Sequence, residues 1–433
     1  MGMASIISRD SDTISWTRPS HPKIEIQLVG QQPRIVNSYT TGDQINGTAI
    51  ITVEHETPFD EVEIVLQGSS HTTIDHVPCG RIESEQIFLE LRQPIEETEY
   101  LIPEVLEPAR SYSFPFRFVV PDRLLPQACT HPRTNPHVHR AHTMLPPTLG
   151  DPMLAGDGKT LLDDMAPDMS RISYIIRVGV LRKPSSDHRQ LETLANHAKK
   201  VRIIPTVEEE PPINVLDHPY YCTSKGKSGR HGPLRTKMGR LLASSSQPKP
   251  IRLLPPSYPR DNVSTVATVQ LRFNPVGNEQ PPQLGSMTSK LKASTFYSAT
   301  PWADFPCQSG TILSGQGGRG RFTESIPLLT MCVSSAQWEK HTTSSDSDRR
   351  DSIHLITSED LDDPSISFFK DNYYTTSVII PITIPSSKTF VPTFHSCLVS
   401  RTYSLDLSLT YHTSGMNILA PTISLYVPIQ ITT

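Results

Sequence analysis

Residues 172–180 read ISYIIRVGV, and this stretch decides the fold class. Its apolar side chains stand at every second position: Ile172, Tyr174, Ile176, Val178 and Val180. A β-strand with one buried face places every second residue in the core, so this spacing predicts a strand.

The same alternation recurs on both sides of this stretch. It is present at residues 24–28, 49–53, 62–66, 87–91, 114–118, 265–273, 378–384, 403–411 and 423–431. Residues 186–200 differ, because their apolar side chains fall on one helical face behind a Ser186 or Asp187 cap, and they predict one short helix. Strands without intervening helices cannot make parallel crossovers. We therefore expect an all-β fold of packed antiparallel sheets, which excludes Rossmann and TIM-barrel architectures.

Composition narrows the class of protein. Of 433 residues 40 are proline, a frequency that excludes a mainly helical fold. Lys and Arg number 40 against 44 Asp and Glu, and this balance predicts no nucleic-acid partner. The six cysteines form no CxxC pair, and the first residues lack an apolar signal-peptide core. Both features are typical of a cytoplasmic protein with reduced thiols and no transmembrane segment.

A domain boundary is expected near residue 215. Residues 208–221, EEEPPINVLDHPYY, interrupt the alternation with acidic residues and prolines, which suits an extended connector. The prediction is a disordered N-terminus (residues 1–20) followed by tandem β-sandwiches over residues 21–215 and 216–433. The first sandwich carries an insertion, residues 125–167, that we expect to be mobile.

Several segments resemble the arrestin family. Residues 39–47, YTTGDQING, are similar to the Y-x-x-G-D-x-I-x-G segment that enters the third strand of arrestin N-domains. Residues 112–126 resemble the family's F-x-F-x-I/V-P-x-x-L-P-x-S segment, and residues 145–150 and 164–176 look like fungal α-arrestins. Residues 239–243, 291–295 and 394–409 resemble the arrestin C-domain.

The resemblance covers nearly the whole chain and implies two tandem sandwiches of the immunoglobulin-like, arrestin type. It also implies a non-enzymatic adaptor. Such adaptors bind cytoplasmic tails of membrane transporters or receptors and recruit WW-domain HECT ubiquitin ligases, so that the cargo is ubiquitinated and endocytosed at the plasma membrane or endosomes. A vesicle-sorting scaffold of the same fold, without ligase recruitment, is the alternative function.

One motif bears directly on that role. Pro255-Pro256-Ser257-Tyr258 is a PPxY sequence. Paired prolines preset a polyproline II segment that fits the aromatic groove of a WW domain, and the tyrosine fills the adjacent pocket. Because the motif stands between two expected strands, a proline-rich hairpin turn is the favoured interpretation and a WW-domain ligand, with Pro255, Pro256 and Tyr258 in contact, is the other.

A basic cluster follows the boundary. It could hold phosphates or an anionic leaflet, which would permit peripheral membrane association, but interleaved glycines favour a flexible solvated linker. Its members are Lys225, Lys227, Arg230, Arg235, Lys237 and Arg240.

Potential metal ligands gather in the insertion, although no zinc-module spacing is matched. Cysteine and histidine are the usual ligands of structural zinc. A solvated loop is the favoured interpretation and a zinc-binding protein the less favoured one, so we predict no metal site and no cofactor. With no catalytic signature in the chain, we also predict no enzyme activity. The ligand types occur at Cys129, His131, His137, His139 and His142.

Overall fold

The structure is a computed structural model, and it describes most of the chain. The described residues are 21–31, 36–76, 80–95, 105–154, 159–183, 191–213, 221–231, 236–254, 263–306, 318–342, 372–412 and 420–433. The expected disordered N-terminus and the PPxY motif lie outside them.

The first half of the chain forms two packed sheets. Its strands are β1 (Lys23–Leu28), β2 (Ser38–Tyr39), β3 (Gln44–Thr52), β4 (Thr57–Pro58), β5 (Glu61–His76), β6 (Gly80–Arg92), β7 (Val105–Leu106), β8 (Ser111–Val119), β9 (Ser170–Arg182) and β10 (Glu192–Ile203). One sheet has the order β1-β3-β8, the other β2-β10-β9-β5-β6, and β4 pairs with β7. Side chains of both larger sheets, such as Ile51 and Ile64, meet in one core.

The second half repeats this arrangement with different strands. They are β11 (Ser224–His231), β12 (Thr236–Ser245), β13 (Ile251–Arg252), β14 (Ser264–Asn274), β15 (Gln283–Ser298), β16 (Arg319–Cys332), β17 (Glu339–Thr342), β18 (Asn372–Thr383), β19 (Phe394–His395), β20 (Val399–His412), β21 (Thr422–Ile429) and β22 (Ile431–Thr432). The sheets run β11-β12-β14-β18-β17 and β16-β15-β20-β19, with β21 also on β20 and β22 paired with β13. Leu271 and Leu405, from opposite sheets, share its core.

The predicted all-β, antiparallel character is confirmed. In β9 the five alternating residues Ile172, Tyr174, Ile176, Val178 and Val180 are all fully buried. The strand pairings are antiparallel except for two short ones, β2 with β10 and β13 with β22. None of the helices in the described ranges is long and apolar enough to cross a membrane.

The helix predicted at residues 186–200 is wrong. From residue 192 onward this stretch is the strand β10, which pairs with β9 from Glu192 opposite Arg182 to Val201 opposite Tyr174. Leucine and alanine are strong helix formers, but helix propensities differ by less than about 1 kcal/mol per residue, and pairing with the edge of β9 supplies a ladder of hydrogen bonds that overrides them. Within the described residues the one α-helix is α1 (Pro136–His142), which also lies in the first half.

The described parts of the insertion, residues 125–154 and 159–167, contain buried residues that pack into the cores, which does not fit the mobile loop expected there. Leu145 and Leu149 are buried. The hydroxyl of Tyr174, in the middle of β9, donates to the Pro146 carbonyl at 2.5 Å. A short 3-10 helix (Pro126–Ala128) and α1 also lie in this insertion.

Among the residues that the structure describes, the two halves share core residues but no sheet. Residues 390–399, called here the linking segment, contribute Val391, Phe394, Leu398 and Val399 to the first core and Phe390 to the second. Met165 of the insertion enters the second core. The halves therefore meet at a seam that combines apolar packing with hydrogen bonds, among them Thr72 Oγ1 to the Ser298 carbonyl at 2.8 Å.

Candidate metal centre and candidate binding surfaces

The PPxY motif lies outside the described residues, but the strands on either side of it are described. The two flanking strands do not form the expected hairpin with each other, because β13 pairs with β22 while β14 pairs with β12 and β18. The connection that carries the motif runs between two different sheets. Leu254, the last described residue before it, is 48% exposed, and Val263 is the first described residue after it.

The basic cluster is not a flexible linker, because most of its residues lie in the paired strands β11 and β12. Lys225 and Lys227 are exposed, and they stand opposite the buried Ala243 and Leu241. Arg240 stands opposite Ser228, which directly follows Lys227 along β11. Successive residues of a strand point to opposite faces of the sheet, so the register separates Arg240 from the two lysines.

The side chains of three members of this cluster are not described. The side chains of Arg230 and Lys237 and the whole of Arg235 fall outside the described residues. Lys227 Nζ donates to the Thr422 carbonyl at 3.0 Å, so one of the exposed lysines is engaged with β21. The described part therefore offers no single anion-binding patch built from Lys225, Lys227 and Arg240.

The Cys/His-rich insertion instead forms a compact group of four potential ligands. One ligand atom from each of Cys129, His131, His142 and Cys397 lies within 4.8 Å of all the others. Cys129, His142 and Cys397 are buried and His131 is half-buried. The interpretation as a solvated loop is therefore wrong for Cys129 and His142, which are only 2% and 1% exposed.

Local structure explains how the first three ligands converge. Cys129 ends the 3-10 helix, where its backbone N–H donates to the Pro126 carbonyl. Asn135 caps α1 by accepting from the Val138 N–H at 3.2 Å, and Pro136 occupies the first helical position, where a missing N–H costs nothing. His142 is the last residue of this helix, and it points back towards Cys129 and His131.

The fourth ligand comes from the linking segment. Cys397 lies in the turn between β19 and β20, where Ser396 Oγ donates to the Val399 carbonyl at 2.7 Å. The Cys397 carbonyl accepts a hydrogen bond from the Trp302 N–H at 2.9 Å. Tight anchoring at both points holds the thiol against the insertion of the other half.

Distances within the group are close to those of a coordination shell. Nδ1 of His142 is 3.3 Å from Nε2 of His131. The Cys129 sulfur lies 3.2 Å from Nε2 of His131 and 3.8 Å from Nδ1 of His142. Ligands at zinc distances in a tetrahedron are separated by about 3.3 Å for two nitrogens and about 3.6 Å for sulfur and nitrogen.

Neighbouring groups set the state of the ligand atoms. Nδ1 of His131 is 3.0 Å from the Pro132 carbonyl, so it carries the proton and leaves Nε2 as an acceptor towards the group. Burial, followed by the neighbouring His131, lowers the pKa of His142 to about 3, and its imidazole is therefore neutral at physiological pH. Burial and the adjacent Cys129 raise the pKa of the Cys397 thiol.

Sequence reasoning found three of the four ligands and added two residues that do not belong. His137 and His139 lie on α1 but are not members of the group. Cys397 was missed, since it stands far along the chain with no metal-binding spacing around it. Its only signal was that it is one of six scattered cysteines.

No family model matches this sequence, and no curated protein matches it either.

Proposed function

We propose that this protein is a non-enzymatic, arrestin-type adaptor that acts at the cytoplasmic side of membranes and links membrane-protein tails to a WW-domain HECT ubiquitin ligase. The observation that supports the proposal is that the strands before and after the PPxY motif, β13 and β14, pair with other strands and not with each other. A hairpin between β13 and β14 would account for the prolines as its turn, and the pairing of β13 with β22 does not support such a hairpin.

The surroundings of the motif suit a docking segment. Leu254, the last described residue before the motif, is exposed, whereas Val263, the first described residue after it, is half-buried against the second core. A WW domain needs a few residues in polyproline II conformation with their side chains accessible.

Edge strands offer a second surface, for the cargo tail. β6 pairs only with β5, and β16 only with β15, over the residues that the structure describes. They have 13 and 14 residues. An extended peptide can add to such an edge by main-chain hydrogen bonds, with side-chain pockets supplying selectivity. Pro327 lacks an N–H and limits pairing in the second part of β16, so β6 and the start of β16 are the better candidates.

The ligase link is tested with immobilised WW domains of HECT ligases and the purified full-length chain. We expect Tyr258→Ala to weaken binding on the order of tenfold or more, because the tyrosine is the anchor side chain of the motif. Pro211→Ala is the matched control. Pro211 and Pro212 are an exposed proline pair with Asn214, not tyrosine, at the fourth position, so this variant should bind like the wild type. Equal binding by Tyr258→Ala and the wild type would contradict the proposal.

A further inference from the structure

We propose that Cys129, His131, His142 and Cys397 bind one structural zinc ion that clamps the two halves of the chain together. The proposal goes beyond the adaptor function and does not depend on it. It rests on four ligand atoms from two distant parts of the chain that converge in one buried place.

The donor set favours zinc over other metals. Two cysteines and two histidines are a donor set of structural zinc sites, whereas calcium and magnesium take oxygen ligands. All four positions are supplied by protein side chains, which is typical of a structural rather than a catalytic site. The nitrogen–nitrogen separation of 3.3 Å agrees with the tetrahedral value of about 3.3 Å.

Charge balance favours the filled site. On binding, the two thiols lose their protons to solvent, and the resulting thiolates cancel the two charges of the metal ion. The complex is then neutral, which suits a place where Cys129 and Cys397 are 2% and 4% exposed. Arg133 supports the Cys129 thiolate, with its Nη1 3.6 Å from the sulfur and 2.7 Å from the Cys129 carbonyl.

The site joins the halves because its ligands are divided between them. Three ligands belong to the insertion of the first half and Cys397 to the linking segment of the second. Seam hydrogen bonds surround the group: the Thr134 N–H donates to the Ala303 carbonyl at 2.8 Å, and Thr134 Oγ1 contacts the same carbonyl. A metal ion here would hold the linking segment in position against the first core.

Metal content and affinity test the ligand set. The full chain, purified under reducing conditions and reconstituted with zinc, should contain about one zinc per chain by mass spectrometry of the metal. Competition with a chromophoric chelator should show that Cys397→Ser and His131→Ala weaken zinc binding about a hundredfold or more. Two matched controls should bind zinc like the wild type. They are His137→Ala, on the helix α1 that carries His142, and Cys332→Ser, an exposed cysteine of the second half.

Two results would overturn the assignment. One is a folded wild-type chain that takes up no zinc, or in which dissolved oxygen alone oxidises Cys129 and Cys397 to a disulfide while zinc is present. The other is an unchanged zinc affinity in Cys397→Ser. If Cys397→Ser does not fold, His131→Ala and the cobalt-substituted wild type decide. The cobalt form should show thiolate-to-metal charge transfer and the intense visible bands of a tetrahedral site, and their absence would count against the proposal.

Hydrogen exchange tests the clamp separately from the binding. Removal of zinc should speed exchange of the Trp302 and Thr134 amides, which cross or border the seam, while the Ile172 amide in the core of the first half stays protected. Unchanged exchange at Trp302 and Thr134 after complete metal removal would show that the ion binds without clamping the halves.

Discussion

The two cores differ in how much each takes from the other half of the chain. The first core contains Val391, Phe394, Leu398 and Val399 from the linking segment. Among the described residues the second core takes only Met165 from the first half. The first sandwich is thus completed by residues that follow it far along the chain, whereas the second is nearly self-sufficient. A tandem of similar sandwiches therefore need not be a tandem of independent folding units.

Separating the halves is expected to have the largest effect. Full burial of four apolar side chains is worth roughly 6 to 12 kcal/mol, similar to the total stability of about 5–15 kcal/mol of a typical domain. A fragment of residues 1–213 should therefore lose cooperative unfolding, whereas residues 204–433 should retain it. Calorimetry and near-ultraviolet circular dichroism measure this. A cooperative transition in the fragment 1–213 would show that its core does not need the linking segment.

Two phenylalanines of the linking segment sharpen the comparison in the intact chain. Phe394 packs in the first core and Phe390 in the second, and both are nearly buried. Each change to alanine should cost about 3–5 kcal/mol, because it removes a ring from a packed core. Hydrogen exchange should show lost protection in β9 for Phe394→Ala and in β20 for Phe390→Ala. The same pattern in both variants would mean that the cores unfold as one unit.

An ion pair across the seam should have the smallest effect. Lys388 Nζ lies 2.5 Å from Asp163 and 2.7 Å from Glu324. Their side chains are 25%, 51% and 30% exposed, so Lys388→Met should cost only about 0.5–1 kcal/mol at pH 7. Urea unfolding of this variant and of Lys340→Met, an exposed lysine on β17, provides the measurement and its control.

The pH dependence of this pair has a defined sign. The hydrogen bond from Lys388 lowers the pKa of Asp163 below its ordinary 3.8, so the pair's stabilisation is present above that pH and is lost as the pH falls below it. Asp163, followed by Glu324, raises the pKa of Lys388 above 10.5, and this contribution is lost as the pH rises beyond that value. The difference in stability between Lys388→Met and the wild type should therefore shrink towards pH 3.

The sequence predicted well which side chains of a strand are buried. It predicted poorly which residues from distant parts of the chain come into contact. The alternating residues of β9 and the three rings Phe114, Phe116 and Phe118 of β8 are buried as expected, because neighbours along a strand determine which face is apolar. The helix prediction for residues 186–200 failed because pairing with the edge of β9 stabilises a strand there more than the apolar spacing stabilises a helix. Three ligands of the candidate metal centre could be found in the sequence because they lie within 14 residues of each other.

By itself, the sequence determined the class of fold and the buried face of strands with a strict alternation, such as β8 and β9. Only the tertiary structure decided which cysteine joins Cys129, His131 and His142, and which residues complete the first core. The physical reason is the separation along the chain of the residues that interact. A period of two acts between adjacent residues, whereas the position of Cys397 depends on how two complete sandwiches pack against each other.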